Sequence, residues 1–131
     1  MRSLFVLTAL FVFASTQGRQ LAVSGEFQVN SVANGRQSSP AIATLANGGF
    51  VIAWSDSGQT DIYNDVYAQL YSSSGDAVGT VFLVNTFTSS HQIEPAIASL
   101  SGGGFVVVWS RRVELWDIRS ALLRLRGERR I

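Results

Sequence analysis

Phe27-Gln-Val-Asn30, Pro40-Ala-Ile-Ala43, Gly48-Gly-Phe-Val51 and Trp54-Ser55 return in the same order, 55 residues later and without a gap, as Phe82-Leu-Val-Asn85, Pro95-Ala-Ile-Ala98, Gly103-Gly-Phe-Val106 and Trp109-Ser110. Gln37 falls on Gln92 and Leu45 on Leu100. From Phe27 to Ser55, 15 of 29 positions are identical. A chain that repeats itself in this way is built from copies of one supersecondary unit, so the content of a single period decides the fold.

Within one period, Glu26–Asn30, Ala41–Leu45, Phe50–Trp54 and Val66–Ser72 are short runs rich in Val, Ile, Phe, Tyr and Trp, separated by Gly, Ser, Asn and Asp. These are strand signals. Val66-Tyr-Ala-Gln-Leu-Tyr71 alternates, with Val66, Ala68 and Leu70 on one face and Tyr67, Gln69 and Tyr71 on the other. Phe50-Val-Ile-Ala-Trp54 does not alternate, as expected of a strand covered on both faces. Asn47-Gly-Gly49 predicts a tight hairpin, with Gly supplying positive φ, and Gly75-Asp76 a turn into the next unit. The fold expected is all-β, made of four-stranded antiparallel repeat units in an incomplete β-propeller-like array; a small β-sandwich is the alternative. Residues 25–79 form a complete unit and 80–110 part of a second. A unit that covers both faces with neighbours needs roughly three copies to close its core, so the isolated chain is expected to be marginal or aggregation-prone unless it self-associates.

The succession Phe-x-Val-Asn, Gln-x-x-Pro-Ala-Ile-Ala-x-Leu, Gly-Gly-Phe-Val-x-x-Trp, Val-Tyr-Ala-Gln-x-Tyr and Gly-x-x-Val-Gly, from Gly25 to Ser110, resembles a family of secreted, Cys-poor repeats found in large bacterial surface and hemolysin-like export proteins and in some protists. The resemblance implies extracellular repeats of propeller type without assigned chemistry. Family arrays run to many copies, whereas this chain has one full unit and part of another.

The two ends differ from the middle. Residues 1–18 read as a secretory signal peptide: Arg2 precedes an unbroken apolar or near-apolar run, Leu4 to Ala14, followed by small and polar residues. Such a run falls short of the roughly 20 residues that span a bilayer. Cleavage after Thr16 or Gly18 would place small residues where a signal peptidase reads. The other reading of the run is a buried helix or strand. Between Gln20 and Ser110 one Arg stands against six carboxylates, whereas residues 111–131 hold seven Arg against three. A reversal this sharp marks a segment of different origin or task. With permitted codons read one nucleotide later, Asp117 to Arg130 becomes Ile-Phe-Ala-Gln-Arg-Phe-Tyr-Ala-Ser-Gly-Glu-Ser-Val-Gly. That stretch lines up on Val66 to Gly79, so residues 111–131 read as the out-of-frame remainder of the second unit. The competing reading is a basic amphipathic helix, in which Leu115, Ile118, Leu122 and Leu125 fall three or four apart among arginines and bind an anionic membrane surface.

Composition limits the chemistry. With 47% hydrophobic and 11% aromatic residues the chain is not disordered, and with no Cys it has neither disulfides nor a thiolate site. One His and no Cys exclude a clustered nitrogen or sulfur metal site. Asp56, Asp61, Asn64 and Asp65 offer oxygens to Ca²⁺, although their spacing fits no known Ca²⁺ loop; a solvated acidic loop is the alternative. Asp56-Ser-Gly-Gln-Thr60 matches the Asp-x-Gly-x-Thr turn of sialidase-like propellers in part, but reads more simply as a polar hairpin in which Asp56 bonds its own turn. His91, opposite Arg36 in the other unit, reads as a surface loop residue. Gly102-Gly-Gly104 is a hairpin turn and not a phosphate loop, because it lacks the Lys and the helix.

The function expected is a secreted, non-catalytic repeat module for extracellular or cell-surface structure, adhesion or binding, within a longer protein. Its partners would be further copies of the repeat, an extracellular protein or a glycan; no nucleic acid is expected. Alternatives are a fragment of a glycan-acting propeller enzyme and a membrane-surface binder acting through the tail. A reporter fused after residue 20 should leave the cytoplasm and lose its first sixteen to eighteen residues. Mass spectrometry of its N-terminus decides this, and an intact Met1 refutes it.

Overall fold

The computed structural model describes the backbone of residues 8–9, 12–14, 20–22, 26–58, 62–114 and 117–125, and the side chains of 26–58 and 62–112. All the regular elements described are strands: β1 (Thr8–Ala9), β2 (Val12–Ala14), β3 (Gln20–Ala22), β4 (Phe27–Gln28), β5 (Gln37–Thr44), β6 (Phe50–Asp56), β7 (Asp65–Tyr71), β8 (Ala77–Leu83), β9 (His91–Ser99), β10 (Phe105–Glu114) and β11 (Asp117–Leu125). The larger sheet has the order β5-β6-β7-β8 and the second β11-β10-β9, with antiparallel neighbours throughout. Two small pairs, β1-β4 and β2-β3, complete the description.

Strand β6 holds these layers together. Every residue from Phe50 to Asp56 is buried. On one face Val51 and Ala53, with Val66, Ala68 and Val84, form a core with Phe105, Val107 and Trp109 of the second sheet. On the other, Phe50, Ile52 and Trp54 join Val29, Tyr67 and Tyr71. There the Phe50 and Tyr71 rings stack 4.8 Å apart and 3° from parallel, and Phe27 leans on Tyr71 at 5.4 Å. The split of β7, with Val66 and Ala68 on one side and Tyr67 and Tyr71 on the other, is the one its alternation predicts. A fully buried Val or Phe contributes about 1.5–3 kcal/mol over its exposed form, so a strand apolar on both sides holds two layers at once.

The two repeated stretches fold alike. Ala41, Ile42, Ala43 and Thr44 pair with Ala53, Ile52, Val51 and Phe50, as Ala96, Ile97, Ala98 and Ser99 pair with Val108, Val107, Val106 and Phe105. The hairpin turns match too. Gly48 N–H donates to Leu45 O at 3.0 Å and Leu45 N–H to Gly49 O at 2.7 Å; Gly103 and Leu100 repeat this at 3.0 and 3.1 Å. Gly48 and Gly103 sit at φ of 83° and 84°, the left-handed station that a three-residue hairpin loop with a bulge requires. Both hairpins also carry a bulge opposite the tryptophan, where Ser39 and Glu94, each preceding a proline, adopt φ of 54° and 58°. The bulge explains why strand β5 begins at Gln37, four residues before the Ala41 read from the sequence.

Two expectations change. Gly75-Asp76 turns the chain back into the same sheet: Ser72 N–H donates to Asp76 O at 2.8 Å, and β8 pairs with β7. Strand β8 therefore crosses the boundary set between 79 and 80, and the fourth strand of the first sheet ends in the Phe82-Leu-Val-Asn85 motif of the second unit. In the tail, Asp117–Leu125 is a strand paired with β10 from Glu114 to Phe105, not an amphipathic helix. Pairing to the free edge of β10 outweighs the helical spacing of its leucines. Ser120 faces Ser110 as Val66 faces Ser55. Within the span read as a signal peptide, β1 and β2 are strands; the rest of residues 1–18 lie outside the described residues.

Covering one sheet face and not its counterpart has a measurable consequence. Ala53 is fully buried between the sheets, while Val108, its counterpart, is 40% exposed. Ala53→Leu should therefore cost about 1–3 kcal/mol by overpacking, and Val108→Leu should stay within about 0.5 kcal/mol of the parent. Paired denaturant melts measure both.

Candidate functional site

The polar residues of the repeat gather where β6 ends and β7 begins. Asp56 and Asp65 face each other in register and both are buried. Burial of two carboxylates demands hydrogen-bond donors, and the fold supplies them. Asp56 Oδ1 accepts from Gly58 N–H at 2.8 Å, as expected of a polar hairpin. Gly58 is required there, since a Cβ would strike the backbone of Asn34. Asp65 Oδ1 accepts from Asn85 Nδ2 at 2.7 Å.

Asn85 is the residue that sequence reasoning left without a role. It is buried, and it joins strands far apart in the chain. Its Oδ1 accepts from Val66 N–H at 2.7 Å, and its Nδ2 reaches Phe87 O at 3.1 Å as well as Asp65. Val84 N–H donates to Val66 O beside it. The Asn of Phe-x-Val-Asn thus pins the fourth strand to the third. The only sequence signal for this was its recurrence at 30 and 85. Asn30 makes the matching local bond, to Val32 O at 2.9 Å, and turns its amide toward Gln37 Oε1 at 3.5 Å.

The two sheets are also stitched by polar contacts. Ser55 Oγ, fully buried, accepts from Glu94 N–H of the second bulge at 3.1 Å, and Gln92 N–H donates to Asn64 O at 2.7 Å. His91 is not a loop residue on the surface. It opens β9 half-buried, with Nδ1 accepting from Asn64 N–H at 3.2 Å and lying 3.0 Å from Asn64 Oδ1, while Tyr63 meets its ring edge-on at 5.2 Å. Nearby, the Arg111 guanidinium lies 4.5 Å over the Phe87 ring, and Ser90 Oγ donates to Arg112 O. The equivalent tryptophans differ. Trp109 Nε1 donates to Gln92 Oε1 at 2.9 Å, whereas Trp54 Nε1 is buried without a hydrogen-bond partner among the described residues.

Of the four oxygen-bearing residues considered for Ca²⁺, the fold brings Asp56 and Asp65 together and turns Asn64 toward His91; Asp61 lies outside the described residues. Among the described residues no group of three or more His, Cys, Asp or Glu stands in reach of one ion. An open groove of about 780 Å³ lies between β4 and the β7–β8 hairpin, lined by Phe27, Asn30, Gln69, Tyr71 and Asp76 among others. Its floor belongs to the fold: Gln69 Nε2 donates to Leu70 O and Val78 O at 2.8 and 3.1 Å, and burial raises the pKa of the Tyr71 hydroxyl above its usual 10.0. Comparison with protein-family models, curated proteins and solved structures finds no match to this chain.

Asn85→Ala should lower stability by about 1–3 kcal/mol, the cost of leaving Val66 N–H and the Asp65 carboxylate without their buried partner. Asn85→Asp should do no better, because it sets a second carboxylate against Asp65. Equilibrium unfolding in urea checks both, and wild-type stability in either variant removes the clamp.

Proposed function

We propose that the chain is a secreted, non-catalytic repeat module that serves structure or adhesion outside the cell, its two units belonging to a propeller-like stack. The observation that carries this reading is the packing of one Phe-x-[Ile/Val]-x-Trp hairpin against the face of the preceding one, with the same turns, bulge and register in both. Repetition of this kind builds surface and length, and it asks the recurring polar residues to hold strands. That is what Asn85, Ser55 and Gln92 do here. His91 has a like role, since its Nδ1 is engaged by Asn64. Partners on this reading are further copies of the repeat, an extracellular protein or a glycan. Ca²⁺ is not required for it, because Asp56 and Asp65 take donors from the chain itself.

An epitope tag after Ile131 tests the reading in the source cell. The processed chain should be found outside the cell and held in the surface fraction, with saturable binding of added purified chain to the same surface. Purified chain should turn over none of a panel of aryl glycosides. Cytosolic retention, or glycoside cleavage lost with the chain's own inactivation, would replace the proposal with another class.

A further inference from the structure

The motif Phe-x-Val-Asn occurs twice, and in the described structure its two copies meet different partners. Phe82 and Leu83 pair with Ala68 and Tyr67, completing the first sheet as its fourth strand, and Asn85 then clamps Val66 and Asp65. Phe27 and Gln28 pair instead with Ala9 and Thr8. The leader backbone thus occupies on β4 the station that Ala68 and Tyr67 occupy on β8. Meanwhile, among the described residues, the second sheet has three strands, with β11 at its edge. Through β10, Ala121 and Leu122 stand where Tyr67 and Ala68 stand in the first sheet: Trp109 pairs with Ala121 as Trp54 pairs with Tyr67, and Val108 with Leu122 as Ala53 with Ala68. Among the described residues no fourth strand lies on this sheet, and the chain carries a second copy of the motif that supplies one in the first sheet.

We propose that strand β4 of one chain adds antiparallel to the β11 edge of a second copy, with Phe27 opposite Leu122 and Gln28 opposite Ala121, and that Thr8–Ala9 cap β4 until the leader is removed. The removal step rests on the export reading above; the strand addition does not. An unpaired edge is a template for another strand, and backbone hydrogen bonds supply the affinity in such additions. The match is better than a generic edge because the chain already shows the same four-residue motif seated on the corresponding edge. The contact is head-to-tail: each chain has one donor strand and one acceptor edge, so copies add in series.

The acceptor is tested on the intact chain with a synthetic peptide spanning residues 25–32 as probe. The chain has no Cys, so a single cysteine reports position without background. Peptide carrying Gln28→Cys should bind saturably and form a disulfide with the Ala121→Cys chain, but not with an Ala77→Cys chain, whose cysteine lies on the β8 edge. Peptide with Phe27→Asp should lose binding. Absence of saturable binding, or equal cross-linking at 77 and 121, overturns the proposal. The cap is tested by inserting a site-specific protease sequence after Gly18 and cutting the folded protein. The cut chain should at least double its mass in light scattering, and excess peptide should return it to the monomer mass. A cut chain that stays monomeric overturns the capping role. Since the cut is made in vitro, a failure of export in cells leaves both results standing.

Discussion

A strand that is apolar on both sides cannot be satisfied by one neighbour. Phe50-Val-Ile-Ala-Trp54 imposes that condition, and much of the described architecture answers it. The second sheet closes on Val51 and Ala53, and the Phe27–Val29 segment shares the face of Ile52 and Trp54. Small residues at the first face, Ala53 and Ala68, let the sheets approach closely enough for Phe105, Val107 and Trp109 to fill the space between them. The polar network follows from the same demand. Once the ends of β6 and β7 are buried, Ser55, Asp56 and Asp65 need partners that water can no longer supply, and Gly58, Asn85 and the Glu94 amide provide them.

Much of this was legible in the residues. The period of 55 and the Gly-Gly turns predicted two matching hairpins, and the non-alternating run predicted the doubly covered strand. What escaped notice had physical reasons. Ala77-Val-Gly-Thr-Val-Phe-Leu83 contains a glycine and straddles the unit boundary, so its strand character was divided between a turn and a motif; in the fold Gly79 takes φ of 71° beside an irregularity in the pairing. The leucines of the tail are spaced as in a helix, yet a local period is a weak preference beside the hydrogen-bonding edge of β10. The bulges were hidden because Ser39 and Glu94 are unusual occupants of positive φ.

The candidate site was less legible than the fold, because its members come from different strands. Asp56 and Asp65 are nine residues apart in sequence yet face each other in space; Asp56 takes its donor from Gly58 in its own turn, and Asp65 takes its donor from Asn85 of the next unit. Spacing within one loop could bring the two carboxylates to notice but not the Asn85 amide that reaches Asp65 from 20 residues away. His91 was misjudged for a similar reason: its partner Asn64 lies 27 residues away, in the loop before β7.

The offset between unit and sheet bears on the order in which the protein takes shape as it is synthesised. A ribosome delivers β5, β6 and β7 together with their turns, but the sheet they form waits with an open side until Asn85 has emerged from the following unit. The first unit is thus finished by residues of the second rather than by its own. The β7 side of that sheet is therefore sealed late, once residues 82–85 have been made and can reach Val66 and Ala68.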